Sequence, residues 1–559
     1  MSKKKRTNKK ISGFGVLKKE LKSKSKQQLI NNEIRENEAM LYLHNGNINE
    51  AEEIYLELIE RESKSHIAYG NLAVIYIMKG NKEREQIIYL LKKALQIKPE
   101  FPDALNNLGV ALKEKGDFNS AIPCFQKAIK LKPDYAEAHT NLGNILLVQR
   151  ELNSAIPYFQ KAIKLKPDYA EAHYNLGVTL QEKGDLNSAI KSYQKAINLN
   201  PEYQNAYYNL GVALDEKGDL YSAIPCFQKA IKLNPDYAEA HHNLAHAIFL
   251  IGDDYQKAWS HYEYRFKLAK KPFITHANPP IPKWQGENLK SNEQLLVVTE
   301  QGFGDTIQFM RYIPYLRQQG INVSFCAQTK LHDLIKASNI ISKPLTIEEA
   351  NEVKEGKWIS LLSVPQFLNI APDNPVINDP YIHSSIELNL KWKDLLNTEK
   401  KNIIGINWQG NPNAEIGGLR GRSFPLEIFS PIAENNDCKF LSLQKGFGSE
   451  QLETCSFKDQ FVDCQDQVIK TWGFLETAAM IANCDLVITS DTSIAHLAAG
   501  MGKLTWCLLH YSPDWRWGLN GEKTFWYPTI KLFRQRQRNN WAEVIDKVAI
   551  ELKLLFQSK

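Results

Sequence analysis

A chain of 559 residues exceeds one ordinary domain and calls for two to four structural units. Hydrophobic side chains make up 43% and charged ones 24%, the balance of a water-soluble globular protein, and no stretch approaches the ~20 consecutive apolar residues of a membrane span. Basic residues number 69 against 63 acidic, and a net charge of +6 is too mild to point to nucleic acid.

The first element in chain order is a basic tail, residues 1–31. Residues 1–26 hold eleven Lys/Arg and one Glu, so this tail carries +10 and leaves −4 for the rest. It lacks the apolar run of a signal peptide and is expected to be a disordered, solubilising arm, with contact to an anionic membrane or nucleic acid as the lesser reading. None of the eight cysteines forms a C-x-x-C pair, which argues against a zinc ribbon. Cys124 and Cys226 occupy equivalent places and are expected to be packing thiols, reduced in a cytoplasmic protein.

Residues 32–271 repeat. Pro99, Pro133, Pro167, Pro201 and Pro235 are each 34 apart, and Gly109, Gly143, Gly177, Gly211 and Ala245 keep the same beat. Two alanine columns (Ala121, Ala155, Ala189, Ala223 and Ala128, Ala162, Ala196, Ala230) and an aromatic column (Phe125, Phe159, Tyr193, Phe227) follow it. The spacing predicts about seven helical hairpins. Small residues lie where helices cross, proline ends each second helix, and the aromatics are expected to fill the gap to the next unit. This pattern resembles the tetratricopeptide repeat. Asn71, Asn107, Asn141, Asn175, Asn209 and Asn243 form a further column, each before Leu-Gly or Leu-Ala. An amide both donates and accepts, so such a ladder can hold an extended backbone without reading its side chains. The ladder resembles that of O-linked N-acetylglucosamine transferase, which implies a groove for an acceptor protein or partner. The alternative is that the asparagines pack one repeat on the next.

Residues 272–292 are proline-rich, lack a helical period and read as a linker. Beyond them, apolar runs predict strands at 295–299, 321–326, 358–361, 403–407, 439–443, 485–489 and 504–509, with helices at 305–318, 473–483 and 492–501. Alternation of this kind means parallel sheets covered on both faces, here as two lobes, 293–395 and 396–559, with ligands at the carboxyl ends of the strands. Two strand ends carry candidate chemistry. The first runs into Gly302-Phe303-Gly304-Asp305, where glycines let backbone approach a ligand and a helix start favours anions. Asp305 alternatively just caps that helix. The second runs into Ser490-Asp491-Thr492-Ser493, followed one turn later by His496, and suits a diphosphate. His496 alternatively is a satisfied core histidine.

Together these two elements resemble the heptosyltransferase-type glycosyltransferases of family 9, and more closely the bacterial proteins that join tetratricopeptide repeats to such a domain. Shared elements are Tyr262-Glu263-Tyr264-Arg265, Lys283-Trp284-x-Gly286, Glu300-Gln301-Gly302-x-Gly304-Asp305-Thr306, Ser512-Pro513-Asp514-Trp515-Arg516-Trp517 and Leu532-Phe533-Arg534-Gln535. The resemblance implies an α-solenoid followed by a GT-B-like α/β domain with two Rossmann-like lobes. It implies inverting, metal-independent transfer from a nucleotide-sugar donor, with no further cofactor. Asp305 would be the general base, Asp491 would meet the donor sugar, and Thr492 and Ser493 its diphosphate. Ser493 stands where the family commonly has Gly. A family lysine on the phosphate has no exact counterpart; Arg422, with Arg420 nearby, is offered in its region. Asp253-Asp254 is the only close acidic pair worth noting as a metal site, and it lies at a repeat turn. The rival reading is a tetratricopeptide-repeat scaffold whose α/β domain no longer turns over. A nicotinamide enzyme is disfavoured by the incomplete glycine pattern, and the sugar and nucleotide stay open.

Overall fold

The computed structural model describes residues 30–61, 64–80, 84–270, 272–290, 292–376, 379–415, 421–434 and 437–557. Residues 1–29 of the basic tail lie outside them, and its last two residues, Ile30 and Asn31, already belong to the first helix. The chain divides at Gly218 into two compact units.

The first unit is a solenoid of helical hairpins. Residues 30–44 pair with Ile48–Glu60, His66–Met78 with Arg84–Ile97, Pro102–Lys115 with Phe118–Leu131, Ala136–Val148 with Leu152–Leu165, and Ala170–Glu182 with Leu186–Leu199; Gln204–Lys217 follows. Each start and stop has a local cause. Asp117 and Asp185 cap their helices by accepting from Ser120 N and Ser188 N, both at 3.1 Å. The second helices end at Ile97, Leu131, Leu165 and Leu199, just before the prolines of the 34-residue beat.

The aromatic column packs inside its own hairpin as well as toward the next unit, where Tyr193 meets Asn209. Phe125, Phe159 and Tyr193 are fully buried against the glycine of their own hairpin. A Cβ at Gly109, Gly143 or Gly177 would lie 2.7–2.8 Å from the facing ring carbons. The glycine column therefore seats an aromatic ring within each hairpin. Contact between hairpins includes a feature that the 34-residue pattern alone did not reveal: His139 Nε2 donates to Pro133 O and His173 Nε2 to Pro167 O, both at 3.1 Å. Because a carbonyl only accepts, the ring proton must sit on Nε2. Burial lowers both imidazoles below the usual histidine range, so they stay neutral.

The second unit opens with helices Leu220–Leu233, Ala238–Ile251 and Tyr255–Tyr262 and a 3-10 turn Glu263–Lys267. Asp254 caps the helix that follows it, accepting from Lys257 N at 3.0 Å. Two parallel sheets come next. Strands β1 (Gln294–Val298), β2 (Asn322–Cys326) and β3 (Lys357–Ser360) run in the order β2-β1-β3. Strands β4 (Asn402–Asn407), β5 (Cys438–Ser442), β6 (Leu486–Ser490), β7 (Thr505–Leu509) and β8 (Ile530–Arg534) run in the order β5-β4-β6-β7-β8. This is a doubly wound arrangement whose order reverses between β4 and β6, the switch point at which such sheets bind ligands. β8 was not among the expected strands. The expected helix 305–318 is two helices, Phe303–Phe309 and Tyr312–Gln318.

Two expected boundaries differ. The proline-rich segment is part of the α/β fold. His276 N donates to Thr299 O at 2.8 Å, Trp284 N to Trp358 O at 2.7 Å, and Trp358 N to Pro282 O at 3.0 Å. It covers the open edge of β3, where prolines are tolerated. The expected lobe boundary at residue 395 falls inside helix Ile386–Leu396, which buries Trp392 and packs on Phe474–Ala482, with Lys391 Nζ 2.6 Å from Glu476 Oε1. The helix thus sides with the second lobe. No described helix is long and apolar enough to cross a membrane. All eight cysteines are free, and Cys124 and Cys226 repeat one contact, each Sγ donating to a carbonyl one turn back at 3.3 Å.

Candidate functional site

The two strand-end motifs meet. Helix Phe303–Phe309 packs on Ser493–Gly500, and the approach depends on Gly304. A Cβ there would lie 3.1 Å from His496 Cδ2 and 3.5 Å from Ser493 Cα. The Gly302–Asp305 turn after β1 and the Ser490–Ser493 turn after β6 therefore face one another, each partly exposed.

Asp305 is both a cap and an ion-pair partner. Its Oδ2 accepts from Gly302 N at 2.9 Å, and its Oδ1 accepts from Arg516 Nη2. Its side chain keeps 18% exposure. Burial raises its pKa above the usual aspartate value, and Arg516 opposes the rise. Arg516, 7% exposed, also donates from Nη1 to Asp514 Oδ1 and from Nε to Gln308 Oε1, both at 2.8 Å.

On the second lobe, Asp491 follows β6 and is nearly buried. Burial and the neighbouring Asp514 push its pKa up to about 6. Burial also works against Asp514, but Arg516 outweighs it and Asp514 stays below the usual range. The Thr492 hydroxyl donates to Asn407 Oδ1 at 2.8 Å and Thr489 Oγ1 to the same atom at 3.2 Å, while Asn407 Nδ2 donates to Gln444 Oε1 at 2.7 Å. This polar network ties together the ends of β4, β5 and β6. Arg422 lies over it: Nη1 is 3.4 Å from Asp491 O and Nε 3.4 Å from Glu415 Oε1. The guanidinium rests on Gly410, where a Cβ would come within 2.7 Å. Arg420 lies outside the described residues.

His496 is a neutral packing group. Its Nδ1 is 3.0 Å from Tyr527 Oη, its ring stacks on Trp517 at 5.4 Å, and burial pulls its pKa down to about 3. It supplies Gly304 with a flat surface and brings no positive charge to a diphosphate. Arg516, Asp514, Gln308, Asn407 and Gln444 had no individually assigned role in the sequence reading. The one available signal was a polar residue at the end of a strand, as with Asn407, or a charged pair within the Ser512–Trp517 element.

The asparagine column is half-buried throughout. Asn71 Nδ2 donates to Tyr55 Oη at 2.8 Å, Asn141 to Asn106 Oδ1 at 3.0 Å and Asn209 to Tyr174 Oη at 3.0 Å. All three reach the preceding hairpin, so packing uses their amides. Asn107 and Asn175 have no side-chain hydrogen bond to a described residue. In the second unit, Asn243 lies beside His242 and raises its pKa slightly against burial, which brings it to about 3. The column thus divides, and a split outcome follows. Asn141→Ala/Asn209→Ala and Asn107→Ala/Asn175→Ala carry the same gain in helix propensity. The first pair should nevertheless unfold more easily than the second by about 1–3 kcal/mol, the worth of two hydrogen bonds. Urea titration of both double variants measures it; equal midpoints would remove the packing role.

Comparison with known proteins matches the repeats. Models described as tetratricopeptide repeat match residues 37–100, 106–170, 140–197, 205–237 and 226–260, and one described as TPR repeat matches 180–218. The chain is similar to Protein FlbA of Caulobacter vibrioides, 23% identical over 326 residues, and the match covers 53% of this chain and 52% of that protein. It therefore spans about half the length of this curated relative. Similar solved structures include YrrB, titled a TPR protein with an unusual peptide-binding site, at 26% identity, covering 34% of this chain and 96% of that one with a TM-score of 0.29. Another is MamA from Desulfovibrio magneticus RS-1, at 27% identity, 31% and 96% coverage and a TM-score of 0.28. The first half of the chain is a tetratricopeptide-repeat solenoid, an architecture suited to binding protein partners.

Proposed function

We propose that the α/β part of this chain is an inverting glycosyltransferase of GT-B type. It would take a nucleotide sugar without a metal, while the repeats bind the acceptor protein or a partner. The observation that carries the reading is the meeting of the two strand-end turns across Gly304, with Asp305 on one side and Asp491, Thr492 and Arg422 on the other. Asp305 would take the proton of an acceptor hydroxyl as that oxygen attacks the anomeric carbon. The leaving diphosphate would lie by Arg422 and the start of helix Ser493–Gly500, where fixed dipoles and a guanidinium stabilise developing charge. Ser490 Oγ, buried and without a partner among the described residues, is a further polar group at this end of β6.

The scaffold reading has an observation of its own. Both oxygens of Asp305 and the hydroxyl of Thr492 already have partners within the protein. Ligand binding separates the readings from a third, in which the domain binds no nucleotide. Thermal unfolding of the full chain with UDP, GDP, ADP and their sugar esters, in EDTA, should show stabilisation of roughly 2.7 kcal/mol at 100 times the dissociation constant. No shift with any of them overturns the glycosyltransferase reading. Binding without turnover toward any acceptor or water favours the scaffold.

A further inference from the structure

Arg516 has three partners and one direction. Its Nη1 and Nε are fixed on Asp514 and Gln308, and its own backbone N–H donates to Asp514 Oδ1 at 3.0 Å. Two anchors other than Asp305 therefore aim the remaining Nη2 at Asp305 Oδ1. Asp305 itself has one other hydrogen bond, from Gly302 N. The remaining ionisable groups that influence it are Asp514 and Glu300, with His276 close by.

The loop that carries Arg516 is seated on a repeat helix of the same unit. Phe249 stacks on Trp515 with ring centroids 4.4 Å apart and planes at 26°, and Leu519 N donates to Leu250 O at 3.0 Å. Asp514 lies within electrostatic reach of His246 on that helix. Both contacts fall at the end of Ala238–Ile251, so the last full repeat helix backs the loop that holds the guanidinium.

We propose that Arg516 is a positioning residue for Asp305, braced by repeat helix Ala238–Ile251, and that it keeps the Asp305 carboxylate ionised and turned toward the cleft. This rests on reading Asp305 as the base. A carboxyl buried among apolar neighbours holds its proton and cannot take another; a cation fixed beside it restores the charged form. A guanidinium suits the task because its charge persists under burial and its fork can be anchored at two points while the third contact does the work.

Full-length protein is labelled with a water-soluble carbodiimide and glycine ethyl ester between about pH 5 and 8, and modification at Asp305 is followed by peptide mass spectrometry. Labelling proceeds through the protonated carboxyl, so its midpoint reports the ionisation of Asp305 and needs no donor. Arg516→Ala should raise the midpoint by about one unit or more. Arg516→Lys, which keeps the charge, should stay nearer to wild type. Phe249→Ala should move the midpoint the same way as Arg516→Ala. An unchanged midpoint in Arg516→Ala overturns the positioning role, and an unchanged one in Phe249→Ala overturns the brace. If Arg516→Ala does not fold by circular dichroism, Arg516→Gln reads the same shift with more of the side-chain volume kept. Failure of wild-type protein to bind UDP, GDP or ADP would count against the glycosyltransferase reading and leave the labelling result intact.

Discussion

Asp305→Asn is expected to lower turnover by about 10²-fold or more while nucleoside diphosphate binding stays close to wild type. The amide oxygen of Asn can accept from Gly302 N as the carboxylate does, so the helix cap survives. Its NH₂ then faces Arg516, and donor meets donor where the native protein has an ion pair. The variant is thus more than a base removed. A loss of about 1.5–3 kcal/mol in stability, the worth of a hydrogen bond to a charged group, should accompany the kinetic loss. Measuring unfolding and turnover on one sample separates the two. Activity near wild type would leave Asp305 a cap and an ion-pair partner, and nothing more. A small kinetic loss together with a large stability loss would point the same way.

The repeats were legible because their causes are local. Proline two residues past a helix end, aspartate before it and glycine opposite an aromatic all act within one 34-residue unit, and repetition makes them visible. The strands of the α/β unit were legible where apolar runs are continuous, as in β1, β4 and β6, which are buried on both faces. β8 was not: Lys531 and Arg534 interrupt the apolar run of Ile530–Arg534, and the Lys531 ammonium lies 2.9 Å from Glu551 Oε1. The proline-rich segment looked like a linker because its hydrogen bonds go to another strand, Trp358, and leave no period of their own. The candidate site was half-legible. Glycines and small polar residues after a strand announce a ligand-side turn, which is why Asp305 and Asp491 could be named. Arg516 carries no such local mark. Its meaning comes from Asp305, 211 residues earlier in the chain, and only folding brings the two together. The same holds for the asparagine column: spacing put six amides in register, but whether each is free depends on the neighbour in the hairpin before.

Arg265→Met is expected to be the most destabilising single substitution of those considered, and its cause lies in another pair of shared motifs that fold together. Arg265 and Glu300 are both fully buried. The guanidinium meets Glu300 at two points, Nε to Oε2 at 3.0 Å and Nη2 to Oε1 at 2.7 Å. It also donates to Glu263 Oε1 at 2.7 Å and Ser363 Oγ at 3.0 Å, and Ser360 Oγ donates to Glu300. Removing one member of such a pair leaves a buried charge uncompensated, at about 3–5 kcal/mol. Arg265→Met/Glu300→Gln should recover part of the loss, since the stranded charge is gone although the hydrogen bonds are not restored. Urea unfolding of wild type, Arg265→Met, Glu300→Gln and the double variant closes the cycle. A loss under about 1 kcal/mol would mean that water or rearranged partners satisfy Glu300 without the arginine. Glu300 also directly precedes the Gln301–Asp305 turn, and Gln301 Nε2 donates to Tyr262 Oη at 3.0 Å. The same substitution should therefore loosen the turn that carries Asp305, and lower turnover further than the loss of folded protein accounts for.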